Sequence, residues 1–145
     1  MHTAHDILRS KGHTVWSVGP ADTVLRALGI MAEHDVGAVL VLDGPMLVGM
    51  FSERDYARKV VLAGRSSKDS QVREVMTAHV VCVAPHRSID ECMALMTEKR
   101  VRHLPVVDHK RVIGVVSIGD LVKATIDDQV FMIEQLQSYI AGVSV

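Results

Sequence analysis

Apolar residues along the chain alternate between helix-like and strand-like segments. In the stretches 24–32 and 89–96 they recur at the three- and four-residue spacing of a helix face. Each stretch is followed by two short apolar runs, at 38–42 and 47–51 in the first half and at 104–107 and 112–116 in the second. These runs are continuously apolar, which is typical of strands buried on both faces. The pattern predicts a helix followed by a pair of buried strands, twice.

The two halves of the chain also correspond position by position. A constant offset of 65 positions, without a gap, relates residues of quite different chemistry. The pairs include Pro20 with Pro85, Gly49 with Gly114, Ser52 with Ser117 and Asp55 with Asp120. Because chance similarity between aliphatic segments would not preserve these residue types in one register, the sequence indicates a duplication. Each copy is predicted to be a β-α-β-β-α unit whose first strand lies at 15–18 or 80–83.

This organisation predicts an α/β (α+β) fold made of two repeats that share one core. The first repeat spans 1–63, a polar linker spans 64–71, the second repeat spans 72–126, and 127–145 is C-terminal. Gly64 is a natural stop for the preceding helix. A further helix is predicted over 127–141, and it carries an imperfect apolar stripe of Val130, Ile133, Leu136 and Ile140. Packing of that stripe on its own chain and contact with a second copy are equally compatible with the pattern.

Composition narrows the classes of partner. The chain has 145 residues, 16 basic and 17 acidic side chains and 3% aromatic residues. Near-neutral charge argues against nucleic-acid polymers and anionic membranes, and scarce aromatics argue against base-stacking surfaces. No apolar run approaches the length of a membrane span, so a cytoplasmic protein is expected. The two cysteines, Cys82 and Cys92, favour a reducing compartment, and buried core thiols are favoured over a redox switch.

The motif Ser-x-x-Asp follows the last strand of each copy, at Ser52–Asp55 and Ser117–Asp120. One interpretation is structural, because serine at this position caps a helix. The other is ligand binding, because a helix N-terminus presents free N–H groups to phosphate and a carboxylate accepts from sugar hydroxyls. Glycine three residues before each serine fits either a strand bulge or the close approach of a ligand.

Other chemistry is harder to find in the sequence. No nucleophile–base constellation, phosphate-binding loop or dinucleotide fingerprint is present, so a non-enzymatic protein is expected. Eight histidines are present, but they lack the spacing of metal ligands, so no metal is expected.

Taken together, the tandem units and the repeated Gly-x-x-Ser-x-x-Asp resemble a pair of CBS domains, the module named after cystathionine β-synthase. The strand segment Arg102-His103-Leu104-Pro105-Val106-Val107-Asp108 resembles the same family. The stretch 52–60, running into 64–68, is similar to small stand-alone CBS-pair proteins of bacteria and mitochondria. The similarity covers about residues 4 to 126.

The resemblance implies two repeats packed through their sheets with pseudo-twofold symmetry, and two clefts between them. Such clefts bind adenosyl ligands such as AMP, ADP, ATP, NAD(H) or S-adenosylmethionine. The first strand of one copy is expected to lie beside the Ser-x-x-Asp of the other. The ligand-binding residues that the resemblance implies are Ser52, Asp55, Ser117 and Asp120 for ribose and phosphate, Arg102 and His103 for phosphate, and Val15, Val80 and Val81 beside adenine. Arg54 and Lys11 are further cations that could contact a phosphate, although an exposed lysine such as Lys11 is usually only solvated.

The two clefts are expected to differ, because Gly37 and Ala38 stand where the second copy has Arg102 and His103. The function implied is a regulatory sensor that binds an adenosine nucleotide, forms a homodimer and acts on a protein partner in trans. The alternative is a structural homodimerisation module whose clefts are vestigial.

Overall fold

The computed structural model describes residues 2–142. Its elements, in chain order, are α1 (Ala4–Lys11), β1 (Ser17–Val18), α2 (Val24–His34), β2 (Ala38–Asp43), β3 (Met46–Ser52), α3 (Glu53–Asp55), α4 (Val72–Val75), α5 (Ile89–Lys99), β4 (His103–Asp108), β5 (Arg111–Ser117) and α6 (Ile118–Ile140). A π-helical segment, Tyr56–Val61, continues α3 directly. The fold is α+β, as the sequence predicted, with α1 and α4 as additional helices.

The strands form two small sheets, one in each repeat. In the first, β2 pairs with β3 antiparallel and with β1 parallel. In the second, β4 pairs with β5 in the matching antiparallel register. Three consecutive residues are buried at the centre of β2 and of β4, which confirms for these two strands the prediction of burial on both faces. In β3 and β5 buried residues alternate with half-buried ones, so the prediction is wrong there.

The strand predicted at 80–83 is reduced to a single bridge between Val83 and Val106. In the first repeat, the N–H of Leu40 donates to the carbonyl of Trp16 at 3.0 Å and extends the ladder. The 65-residue offset puts Pro105 at the position of Leu40, and proline has no N–H to donate. The missing hydrogen bond therefore explains why the second copy lacks a regular first strand.

Each repeat has its own hydrophobic cluster, so the expectation of one shared core is wrong. Val39, Val41 and Phe51 belong to the first cluster, and Leu104, Val106 and Val116 belong to the second. What joins the repeats is an exchange of helices. Ala4, Ile7 and Leu8 of α1 pack into the second cluster, whereas Val72 and Val75 of α4 pack into the first. Each predicted repeat, 1–63 and 72–126, thus contributes one helix to the hydrophobic cluster of the other.

The repeated glycines of β3 and β5 are explained by this exchange. A Cβ on Gly49 would collide with the side chain of Met76, which follows α4, and one on Gly114 would collide with Leu8 of α1. The space above each glycine is thus occupied by the chain's own side chains and does not admit a ligand. Each strand is also irregular just before its glycine, as the register shifts at Val41/Leu42 and Val106/Val107 show.

The C-terminal half of α6 differs from its prediction. The segment predicted as a separate helix from residue 127 is the continuation of one 23-residue helix, and residues 143–145 of that region lie outside the described structure. Leu121 and Ala124 are its buried residues. The stripe residues Val130, Ile133, Leu136 and Ile140 are 47–82% exposed, so they do not pack on their own chain.

Candidate functional site

Both Ser-x-x-Asp motifs form complete capping boxes. Ser52 Oγ accepts from the N–H of Asp55 at 3.2 Å, and Ser117 Oγ accepts from the N–H of Asp120 at 3.1 Å. In return, each aspartate accepts from the N–H of its serine, at 3.0 Å and 2.8 Å. The capping interpretation is therefore confirmed for both motifs. Capping does not exclude ligand binding, which depends on the residues and the space around each carboxylate.

One of the two motifs opens into a cavity of about 360 Å³, which we call the Asp120 cleft. Its lining residues come from the end of α1 and the segment after it, from the α2–β2 connection, β2 and β3 of the first repeat, and from β4, β5 and α6 of the second. They are Lys11, Gly12, Thr14, Trp16, Asp35, Val36, Gly37, Ala38, Leu40, Met50, His103, Val115, Ser117 and Asp120. The segment leading into β1 thus lies beside the Ser-x-x-Asp of the other copy, as the sequence predicted.

Lys11 and Asp120 form an ion pair in this cleft. Lys11 Nζ donates to Asp120 Oδ2 at 2.7 Å and to the carbonyl of Val115 at 2.9 Å. Burial by itself would raise the pKa of Asp120, but hydrogen bonds from Lys11 and Ser117 outweigh it and lower the pKa below 3.8. Asp120 is therefore ionised at neutral pH, and a lysine neutralises it.

His103 brings an imidazole to the same cleft. Burial, and then the positive charge of Lys11, lower the pKa of His103 below its ordinary 6.5, so the ring is neutral at pH 7. The ring lies against Gly37, where an added Cβ would be 3.5 Å from His103 Cε1. The position of Gly37 corresponds to that of Arg102 in the second copy. A small residue on the first-repeat side therefore leaves room for the histidine from the second.

The aromatic part of the cleft differs from the prediction. Trp16 lines the cavity and stacks on His34, with ring centroids 3.4 Å apart. Val15, predicted beside adenine, is not among the lining residues, whereas its neighbours Thr14 and Trp16 are. Side chains of an extended segment point alternately to opposite faces, which explains why Thr14 and Trp16 line the cavity and Val15 does not. The apolar wall of the cleft is formed by Leu40, Met50, Val36 and Val115.

The surroundings of Asp55 are different, although its motif is the same. Asp55 is 9% exposed. Its Oδ1 accepts from Thr77 Oγ1 at 3.1 Å and pairs with Lys59 Nζ at 3.1 Å, while Oδ2 accepts from Ser52. Both carboxylate oxygens thus have partners within the chain. By contrast, the bonds of Asp120 with Lys11 Nζ and with the N–H of Ser117 both use Oδ2.

The remaining predicted residues lie elsewhere. Arg54 donates to the carbonyl of Arg100 at 2.9 Å, at the C-terminal end of α5, where a cation complements the helix dipole. The side chain of Arg102 is exposed and does not line the Asp120 cleft. Val80 and Val81 line a separate open groove of about 440 Å³ between Leu47 and residues 78–82. The structure therefore brings together Lys11, His103, Ser117 and Asp120 from the predicted set.

Several lining residues were not predicted. Asp35 and Gly37 lie between α2 and β2. The sequence offered a signal for Gly37, whose position corresponds to that of Arg102 in the second copy, and none for Asp35. Thr14 and Trp16 lie on the opposite face of this extended segment from Val15, so placing the ligand on that face would have predicted them. Leu40 and Met50 have no distinguishing signal, because buried aliphatic strand residues look alike in sequence.

Neither the histidines nor the cysteines form a second site. Within residues 2–142, no three His, Cys, Asp or Glu side chains are grouped so that they could hold a metal ion. Cys92 is buried in the second cluster, where burial raises its thiol pKa. Cys82 is exposed, so the prediction of a core thiol is wrong there. In the part of the chain that the structure describes, no helix is long and apolar enough to cross a membrane.

Comparison with known proteins gives consistent matches. A solved CBS-domain protein from Burkholderia ambifaria is 55% identical, with a TM-score of 0.85 over 88% of this chain and 96% of that one. The mitochondrial CBS domain-containing protein CBSX3 of Arabidopsis thaliana is 38% identical over 97% of this chain and 72% of its own length. Hypoxic Response Protein I of Mycobacterium tuberculosis, solved with two coordinated zinc ions, is 32% identical, with a TM-score of 0.72 over 83% of this chain and 97% of that one.

The family model of the CBS domain matches twice, at residues 3–62 and 72–127. These two ranges reproduce the duplication seen in the sequence, and together they include nearly all of the packed elements. The chain therefore belongs to the CBS domain family and carries two copies of the domain.

Proposed function

We propose that this chain is a non-catalytic sensor that binds an adenosine-containing nucleotide in the Asp120 cleft. The observation that carries the proposal is the convergence, in one cavity, of an ionised carboxylate, an ammonium group, an imidazole and an apolar wall. Ribose hydroxyls would donate to Asp120, and Ser117 and the N-terminus of α6 would face the phosphate. Adenine would lie among Leu40, Met50 and Val115 or against Trp16.

The same cleft supplies a route for signalling. Its lining comes from both repeats and from the segment after α1, so a bound ligand contacts parts of the molecule that belong to different hydrophobic clusters. A ligand shifts a conformational equilibrium only as far as it binds one arrangement better than another. A ligand that bridges the repeats can do so by favouring one relative position of the two clusters. The arrangement would then be sensed by a second copy or by a protein partner in trans.

Thermal-shift screening tests the proposal. AMP, ATP, NAD and S-adenosylmethionine at millimolar concentration are compared with inorganic phosphate, and at least one adenosyl compound is expected to raise the melting temperature. Zinc is a separate arm, because the mycobacterial relative was solved with that metal. If no adenosyl compound stabilises the protein, the sensor proposal fails.

A second candidate is a structural homodimerisation module. It is favoured by the exposed apolar residues of α6 and by the Asp55 motif, whose carboxylate is already satisfied within the chain. In that case the Asp120 cleft would be vestigial as well. Light scattering combined with the ligand screen separates the two functions, since the structural module would dimerise and show no response to nucleotides.

A further inference from the structure

We propose that Lys11 sets the ligand preference of the Asp120 cleft by shifting it toward phosphorylated adenosine and away from neutral or cationic adenosyl compounds. This inference rests on the proposed function and names the ligand class. The charged lining of the cavity is small enough to analyse residue by residue. It consists of one lysine, Lys11, and two carboxylates, Asp35 and Asp120. His103 is neutral at pH 7, because burial and Lys11 lower its pKa.

Lys11 is therefore the cation that decides the balance of charge. With it, one of the two carboxylates is neutralised at 2.7 Å, and the formal charge of the lining is −1 instead of −2. Preference for a phosphate then comes from direct contact with the ammonium group, because the net charge alone does not favour an anion. Without Lys11, the cavity would hold two uncompensated carboxylates, which repel a phosphate and attract a cation. S-adenosylmethionine carries a net positive charge, so the same cleft lacking Lys11 would favour it over AMP.

The geometry of the ion pair leaves the ribose position accessible. Lys11 Nζ contacts Oδ2 of Asp120, the oxygen that also accepts from the N–H of Ser117. Ribose hydroxyls would donate to the other oxygen, Oδ1. Lys11 is the last residue of α1, and 40% of its flexible side chain is exposed. Its ammonium group can therefore turn from Val115 toward a phosphate while it remains next to the carboxylate.

The Asp55 motif offers a comparison, because it also has a lysine beside its aspartate but does not line the Asp120 cleft. Lys59 neutralises Asp55 there, but Thr77 occupies the remaining oxygen and the carboxylate is nearly inaccessible. A lysine beside a capping aspartate is thus present in both copies. Only the pair in the Asp120 cleft lines the described 360 Å³ cavity.

Isothermal titration with AMP, adenosine and S-adenosylmethionine tests the inference in four proteins. These are the wild type, Lys11→Met, which keeps an unbranched stem without the charge, Lys11→Arg, which keeps the charge, and Lys68→Met, which removes an exposed linker lysine. Melting temperatures confirm that each variant is folded. Wild type is expected to bind AMP about tenfold or more tightly than adenosine, as is usual for one hydrogen bond to a charged group.

Lys11→Met is expected to abolish that preference by weakening AMP about tenfold, to leave adenosine within about threefold, and to raise the relative affinity for S-adenosylmethionine. Lys11→Arg and Lys68→Met are expected to retain it. If Lys11→Met weakens AMP and adenosine equally, or changes neither, the inference is wrong while the proposed function stands. If wild type binds none of the three compounds, the proposed function itself is wrong.

Discussion

At the scale of single residues, two identical motifs differ through their neighbours. Asp55 and Asp120 occupy the same position of the same capping box. Thr77 and Lys59 contact Oδ1 of Asp55, whereas Lys11 shares Oδ2 of Asp120 with the N–H of Ser117. The difference arises from side chains distant in sequence, so it could not be read from the motif.

This contrast yields a paired prediction. Asp120→Ala is expected to weaken AMP binding strongly and to cost about 1 kcal/mol of unfolding free energy through the lost cap. Asp55→Ala removes a more deeply buried carboxylate with more partners, so it is expected to cost more stability and to leave AMP binding to the folded protein unchanged. Titration calorimetry and urea denaturation measure the two effects. Equal loss of stability with no change in AMP affinity for either variant would mean that both aspartates are only caps.

His103 supplies a prediction about pH. Its pKa is lowered in the folded protein by burial and by Lys11, with Asp120 and Glu53 acting in the opposite direction and Arg102 in the same direction as Lys11. The unfolded chain therefore binds the proton more readily, so unfolding free energy falls as pH decreases through about 6.5. His103→Gln is expected to flatten this slope between about pH 7.5 and pH 5.5. An unchanged slope in urea titrations across that range would contradict the assignment.

At the scale of elements, the exchanged helices determine the strand sequences. Gly114 must lack a side chain because Leu8 of α1 packs directly over it. The repeated glycines were visible in the sequence, but their cause was not, since α1 itself was not predicted. The sequence did predict α2, α5 and both strand pairs, because their apolar spacing is local. Contacts between elements that are distant in the chain leave no such periodic signal.

A glycine substitution tests the packing of α1. Gly114→Ala is expected to destabilise the protein by about 1–3 kcal/mol, because the added methyl group overpacks a buried contact with Leu8. Gly29→Ala is the control, since Gly29 lies within α2 with open space around it and alanine favours the helix by up to about 1 kcal/mol. Thermal unfolding of both variants measures the difference. A neutral Gly114→Ala would show that α1 does not pack over β5.

At the scale of the whole molecule, the exposed apolar side chains of α6 are not covered by the described part of the chain. Beyond Ala124 the helix has no buried residue among those described, yet it carries apolar side chains as far as Ile140. Helices in proteins gain most of their stability by packing an apolar face, so a covering surface is expected. A second copy is the partner that the homodimer proposal supplies, and a symmetric pairing would place the same stripe on both sides.

Charge on the stripe is therefore expected to disrupt the dimer. The double substitution Ile133→Glu and Leu136→Glu should convert a dimer into a monomer in light scattering at micromolar concentration. Leu62→Glu is a matched control, because Leu62 is 81% exposed and lies outside α6. The homodimer proposal is refuted if wild type is monomeric, and the stripe is excluded as its interface if the double variant remains dimeric.

The binding claim is tested most directly by mapping AMP onto the folded protein. Backbone amide shifts of the isotope-labelled chain are followed by NMR during titration with AMP, with inorganic phosphate as the control. The shifts are expected to concentrate in the segments 11–16, 36–40 and 117–120, which carry most of the residues lining the Asp120 cleft. No saturable shifts, or shifts centred on the groove of Leu47 and residues 78–82, would contradict the proposal that this cleft is the nucleotide site.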